Sequence, residues 1–241
     1  RLRNTRYHDR PVSLYGGMVE LPLIVTREDG ASWFSDRDVL TDGQLWAQQE
    51  SELRGETERL ARELRDNLLG PDVWNVLEPA TRTFLASAEA VFRARRGDPA
   101  FDFSGPAIEY GKAVESELNA LLMTGIRKSL SGKPQSERHV LLDGRTLDLG
   151  IRIPPQSLGT LMVMLEKKPV VQKAVRMAFP HDHSWLLGEL PHCLRRITDI
   201  RNPAAHSRAT TRDGVGEGRN EILGIGCEGI VVRIARARMR S

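Results

Sequence analysis

Arg201-Asn202-Pro203-Ala204-Ala205-His206 places a permanent cation and a titratable imidazole within one short, helix-compatible stretch. Arginine keeps its proton at working pH and presents a planar fork of donors matched to phosphate oxygens, whereas histidine changes charge near neutrality. Together the two side chains suit phosphodiester cleavage. In RNA the ribose 2′-hydroxyl attacks the adjacent phosphorus, so a proton acceptor, a proton donor and a cation for the developing charge can do the chemistry without a metal. Residues five apart on an ideal helix diverge by about 140°. Pro203 lacks an amide hydrogen and clashes with the Asp199 carbonyl, so it is expected to kink or widen the turn and let Arg201 and His206 share one pocket.

The elements that must hold this stretch read as helices. Ser184 to Leu190 and then Pro191 onward form one helical region, with Leu194, Ile197 and Ile200 as its buried stripe and Arg201 at the edge of the core. Upstream, Pro79 to about Arg95 carries Phe84, Leu85, Ala88, Val91 and Phe92 at three-and-four spacing, a core face rather than a base-stacking platform. Gly97-Asp98-Pro99 breaks that helix. Ser104 is expected to cap the next, from about Pro106 to Leu130, with Gly132 closing it. Its apolar stripe is Ile108, Ala113, Leu118, Leu121 and Leu122, which leaves Glu115 among the polar candidates. Val140-Leu141-Leu142 and Thr146 to Leu149 flank Asp143-Gly144 as a small inserted hairpin. Ser157 caps a helix through Lys167, and Pro169 begins another to about Met177. After the Arg–His stretch, Thr211 or Asp213 starts a last helical segment that includes Gly214, Gly216, Gly218, Gly224, Gly226 and Gly229. Each glycine costs about 1 kcal/mol relative to alanine in a helix interior, so they imply close helix approach or a break.

The N-terminal part, residues 1–70, reads as an extension: an edge strand over Val19 to Thr26 interrupted by Pro22, then a charged helix capped by Ser35 or Thr41 and ended by Gly70-Pro71. Residues 71–241 form the helical domain. The 241 residues are 40% hydrophobic and 28% charged, the balance of a globular chain with material for a core. No apolar run approaches the roughly 20 residues of a membrane span and no secretory signal is evident, so a cytoplasmic location is expected. Cys193 and Cys227 are too few for a disulfide framework and read as small buried thiols. His181, His183, His192 and Cys193 lack metal-site spacing, so no metal and no cofactor are expected. A net charge of +3 permits nucleic-acid binding. The cations gather late, from Arg195 to Arg240, with Arg196 and Arg208 nearest the stretch and therefore candidates for holding phosphate. The start on Arg1 fits either a piece of a longer chain, with an upstream sensor or ATPase module or partner, or a renumbered chain.

The stretch resembles the R-x4-6-H signature of the HEPN superfamily (higher eukaryotes and prokaryotes nucleotide-binding domains), including Asn202 as the polar residue after the arginine. Phe101 to Met123, with Ala113-Val114-Glu115, resembles the early helix of such domains, and the resemblance covers about Pro79 to Ser241. It implies a mostly α fold, a HEPN-like bundle of about five helices with the small β-hairpin inserted and the N-terminal extension in front. It also implies a metal-independent endoribonuclease, a toxin or antiviral-defence effector, leaving 2′,3′-cyclic phosphate and 5′-hydroxyl ends. Arg201, His206 and Asn202 would be its catalytic residues, Glu115 an acidic residue nearby, and a homodimer would build the composite site on RNA. Minimal toxin members often carry tyrosine where Arg208 stands, which puts control through that tyrosine in doubt. Two other readings stay open: a non-catalytic HEPN-like dimerisation or nucleotide-binding module, and a basic helical adaptor that binds nucleic acid without cutting it.

Overall fold

The computed structural model describes residues 2–4, 12–14, 17–19, 25–27, 55–142, 144–206 and 209–241; the side chains of residues 2–27, Pro203, Ala205 and His206 lie outside that description. The chain divides into two compact units, Arg1–Leu60 and Ala61–Ser241. In the first unit β1 (Leu2–Asn4) pairs antiparallel with β4 (Val25–Arg27), and β2 (Val12–Leu14) with β3 (Gly17–Val19). The strand expected over residues 19–26 is therefore split between β3 and β4. The expected caps at Ser35 and Thr41 lie outside the described residues.

Helix α1, residues 55–63, runs into a wide π-type turn at Leu64–Leu69, and Gly70 stops it at φ 84°, a conformation glycine takes without strain. Pro71 and Pro79 then open α2 (Pro71–Val76) and α3 (Pro79–Arg95), where their missing amide hydrogens cost nothing. The central element is one helical run: α4 (Ser104–Leu118), a π-type turn (Asn119–Met123) and α5 (Thr124–Leu130). The acceptor at its start is Asp102, which takes the Ser104 amide at 3.0 Å, rather than the expected Ser104 hydroxyl. Helix α4 packs on α3, α7, α10, α11 and α12. Small residues on it, Ala107, Gly111 and Ala113, let those neighbours approach, and Ala113, Val114 and Leu118 are wholly buried.

After α6 (Gln135–Arg138) the inserted hairpin forms as expected, β5 (His139–Leu142) against β6 (Arg145–Asp148), with Gly144 at φ 76° in its turn. Ser157 caps α7 (Leu158–Lys167) by accepting the Thr160 amide at 3.2 Å. Helices α8 (Pro169–Ala178), α9 (His183–Leu187), α10 (Glu189–His206), α11 (Arg212–Leu223) and α12 (Ile230–Arg240) complete the unit. The fold is thus mostly α but more segmented than about five helices. The glycines explain part of this: Gly224 and Gly226, at φ 85° and 81°, turn the chain between α11 and α12, whereas Gly218 stays helical and admits Ile200 to within 3.0 Å of where a Cβ would stand. Leucines at the centre, among them Leu85, Leu118, Leu161, Leu190 and Leu194, are fully buried, each contributing about 1.5–3 kcal/mol. No helix among the described residues is long and apolar enough to cross a membrane.

Candidate functional site

Leu190, Leu194 and Ile197 form the buried stripe of α10, and continuing the same three-and-four spacing reaches Arg201 and Ala204. Arg201 therefore occupies a position of the apolar stripe. Gly111 on α4 makes this feasible: a Cβ there would lie 3.1 Å from Arg201 Cδ and 3.2 Å from Cγ, so the arginine stem crosses α4 where a side chain is missing. The head of Arg201 emerges with a quarter of its side chain exposed and Nη2 3.7 Å from Glu115 Oε2; its buried Nε has no hydrogen-bond partner. Glu115 Oε2 in turn accepts the Leu158 amide at 3.0 Å, at the N-terminus of α7, where the helix dipole favours a negative charge. Two residues singled out in the sequence, Arg201 and Glu115, thus come together from different helices.

Arg201 differs from the other described arginines of the late cationic cluster. Arg195 pairs with Glu166 at 2.7 Å, Arg212 with Asp213 at 2.9 Å, Arg233 with Glu189 at 3.0 Å, and Arg238 with Glu117 at 2.8 Å. Arg196, Arg219, Arg236 and Arg240 are held by Glu221, Glu89, Glu228 and Asp182. The basic run is therefore largely neutralised by carboxylates that the fold brings from other elements. Arg196, expected to hold phosphate, also donates to Cys193 Sγ at 3.5 Å; it stands in the Glu221 pair and not beside Arg201. Within this set only Arg201 has its nearest carboxylate beyond hydrogen-bond range.

His206 is the last residue of α10, and the α-type hydrogen-bonding class runs unbroken from Glu189 to His206. The widened turn expected at Pro203 is absent. Asn202 is exposed, while the His206 side chain and Arg208 lie outside the described residues. The chain beyond them is anchored: Thr210 O accepts the Phe103 amide at 3.0 Å, and the Thr210 amide donates to Asp102 Oδ1 at 2.9 Å. Partial burial raises the Asp102 pKa, but hydrogen bonds from Ser104 and Thr210 outweigh it and hold the carboxyl below its ordinary value. This ties the end of the Arg–His segment to the start of α4.

Beside the site lies a network the sequence reading did not anticipate. Glu89, fully buried on α3, accepts from Tyr110 Oη, from Arg219 and, at 2.6 Å, from Arg93 Nε, and Arg219 also lies 5.1 Å over the Phe92 ring. Burial raises the Glu89 pKa, yet the donors, Arg219 first, bring it below the ordinary carboxylate value; burial and Glu89 push the Tyr110 phenol well up. A signal was present in the sequence: Glu89 shares the Leu85 and Phe92 face, a charge on a stripe otherwise apolar. Glu117, equally buried, accepts Arg238 and the Glu78 amide in the same manner. Elsewhere Cys227 is exposed in the turn before α12 rather than buried, while half-buried Cys193 has its thiol raised to about 11 by burial and by Glu221. His183 Nδ1 lies 2.9 Å from Pro180 O, and no group of three or more His, Cys, Asp or Glu among the described residues is arranged to hold a metal ion. No family model, no curated protein and no solved structure matches the chain.

Proposed function

We propose that the chain is a metal-independent endoribonuclease of HEPN type, a toxin or antiviral-defence effector that assembles its site from two copies of itself. The observation that carries this reading is Arg201: of the described arginines from Arg195 to Arg240 it alone keeps its donors out of a close ion pair. A guanidinium placed on a rigid helix, fixed along its stem and with Glu115 no closer than 3.7 Å to its head, is pre-organised for an anion. Residues five apart on an ideal helix project about 140° apart, a spacing that favours a composite arrangement in which one copy's arginine meets another copy's histidine.

In this mechanism His206 of one copy takes the proton of the ribose 2′-hydroxyl, the 2′-oxygen bonds to phosphorus, and the bond to the 5′-oxygen breaks. His206 of the second copy protonates that departing oxygen. Arg201 binds the non-bridging oxygens and offsets the charge that builds on them. Glu115 aims the guanidinium, and exposed Asn202 contributes a hydrogen bond to phosphate or imidazole. The products carry 2′,3′-cyclic phosphate and 5′-hydroxyl ends.

The test is cleavage of end-labelled single-stranded and transfer RNA in excess EDTA, with Arg201→Ala and His206→Ala alongside. Cyclic-phosphate ends that disappear in both folded variants are expected. Equal cleavage by wild type and variants would overturn the assignment.

A further inference from the structure

One face of the continuous α4–α5 run borders a groove of about 520 Å³. Lys112, Glu115, Asn119, Met123 and Arg127 recur along this face at helical spacing, which spans about 22 Å from first to last at 1.5 Å per residue. The segment Ile151–Pro155 forms one bank, and Phe84 of α3 stands on the other. Glu115 belongs both to this groove and to the Arg201 contact, so the groove opens beside the candidate site.

Of its three cations Lys112 is paired with Glu109 at 2.9 Å, whereas the other two differ from the late arginine cluster. Arg127 and Arg152 make no ion pair with any described residue. The groove's two carboxylates are engaged: Glu78 takes Arg238 at 2.7 Å, and Glu115 faces Arg201 and the Leu158 amide. Phe84, expected in the core, is only half-buried, with Lys112 Nζ 5.4 Å from its ring centroid. Free guanidinium groups and a half-buried aromatic ring, laid out along a groove, are what a flexible polyanion with planar bases requires. The similar-sized groove between Arg96–Phe103 and Ala209–Asp213 is a poorer match, because Asp98, Asp102 and Asp213 line it.

We propose that the α4–α5 groove is the track for single-stranded RNA, with backbone phosphates at Arg127 and Arg152 and a base stacked on Phe84, leading the strand to Arg201. This rests on the ribonuclease reading for its endpoint, not for its chemistry of binding. Binding is read by fluorescence anisotropy with a short, labelled 2′-O-methyl oligoribonucleotide, which cannot be cleaved by 2′-hydroxyl attack. The variants are Arg127→Glu/Arg152→Glu, Arg152→Glu alone at the fully surface position, Phe84→Ala, and Arg96→Glu/Lys167→Glu as a control of equal charge change outside the groove.

The groove double variant should bind at least about tenfold more weakly, and its salt slope should fall by about 1.4, since each single-strand phosphate contact contributes about 0.7. Arg152→Glu alone should lose about half of that slope. Phe84→Ala should weaken binding by about tenfold with the slope unchanged, as loss of one stacked base does. The control should stay within about twofold of wild type. Equal weakening by groove and control variants, or none by either, overturns the track. Arg201→Ala separates the two readings. If the wild type binds through the groove but cuts no RNA, the ribonuclease reading fails and the track stands. If it cuts, loses cleavage in Arg201→Ala, and yet the groove variants bind and cut as wild type does, the track fails and the ribonuclease reading stands.

Discussion

Gly111→Ala moves Arg201 without altering it. The new Cβ would sit 3.1 Å from Arg201 Cδ and 3.2 Å from Cγ, both on the side chain that Gly111 now lets pass. Carbon atoms are comfortable from about 3.5 Å, so the stem must withdraw by roughly 0.5 Å and the guanidinium, further out, by more. A displacement near 1 Å costs on the order of 10²-fold in rate when the group acts on a developing charge. Stability should change little, because alanine gains about 1 kcal/mol of helix propensity while overpacking costs about 1–3 kcal/mol. Gly216→Ala is the matched control: its Cβ would stand at an ordinary 3.7 Å from Phe92 Cζ, far from Arg201 in the chain. Cleavage of labelled RNA and thermal unfolding by circular dichroism are followed for all three proteins. The expected result is a 10- to 100-fold fall in kcat for Gly111→Ala with its Tm within about 8 °C of wild type, and no loss for Gly216→Ala. Wild-type cleavage by a folded Gly111→Ala protein would refute the reasoning, since Arg201 would then not need its position.

Glu89 titrates below its ordinary value in the folded chain, so its contribution to stability is present above the unfolded-state value of about 4.3 and is lost as pH falls through the lower native value. Calorimetric Tm should therefore drop along an acid limb that Glu89→Gln flattens, and an unchanged limb in the variant would count against the network. Arg238→Ala strands buried Glu117 and should cost about 3–5 kcal/mol, whereas Arg236→Ala removes only an exposed pair with Glu228 and should stay within about 1 kcal/mol; urea unfolding compares them. Gly125→Ala would put a Cβ 2.2 Å from Cζ of buried Phe179, so a loss of about 3 kcal/mol is expected, and a neutral result would mean that α5 and α8 slide apart easily.

The sequence alone determined the helical class, because three-and-four spacing, Pro79 and Pro169 at helix starts, and glycines beyond helix ends are local signals that need no partner. It also determined the inserted hairpin and the position of Arg201 immediately past Ile197 and Ile200. Interruptions were less legible. The break at Gly188 between α9 and α10 and the π-type turns depend on what packs against the helix, and the acceptor at the start of α4 passed to Asp102 because Thr210 is anchored there too. Charge was the least local property. The late arginines read as one basic surface, yet each described one except Arg201 meets a close carboxylate from elsewhere in the chain or from its neighbour, while cations free of such pairs, Arg127 and Arg152, come from unremarkable sequence. Sequence states where a charge is; only tertiary structure decides whether a countercharge stands beside it, because those partners lie as many as 160 residues apart.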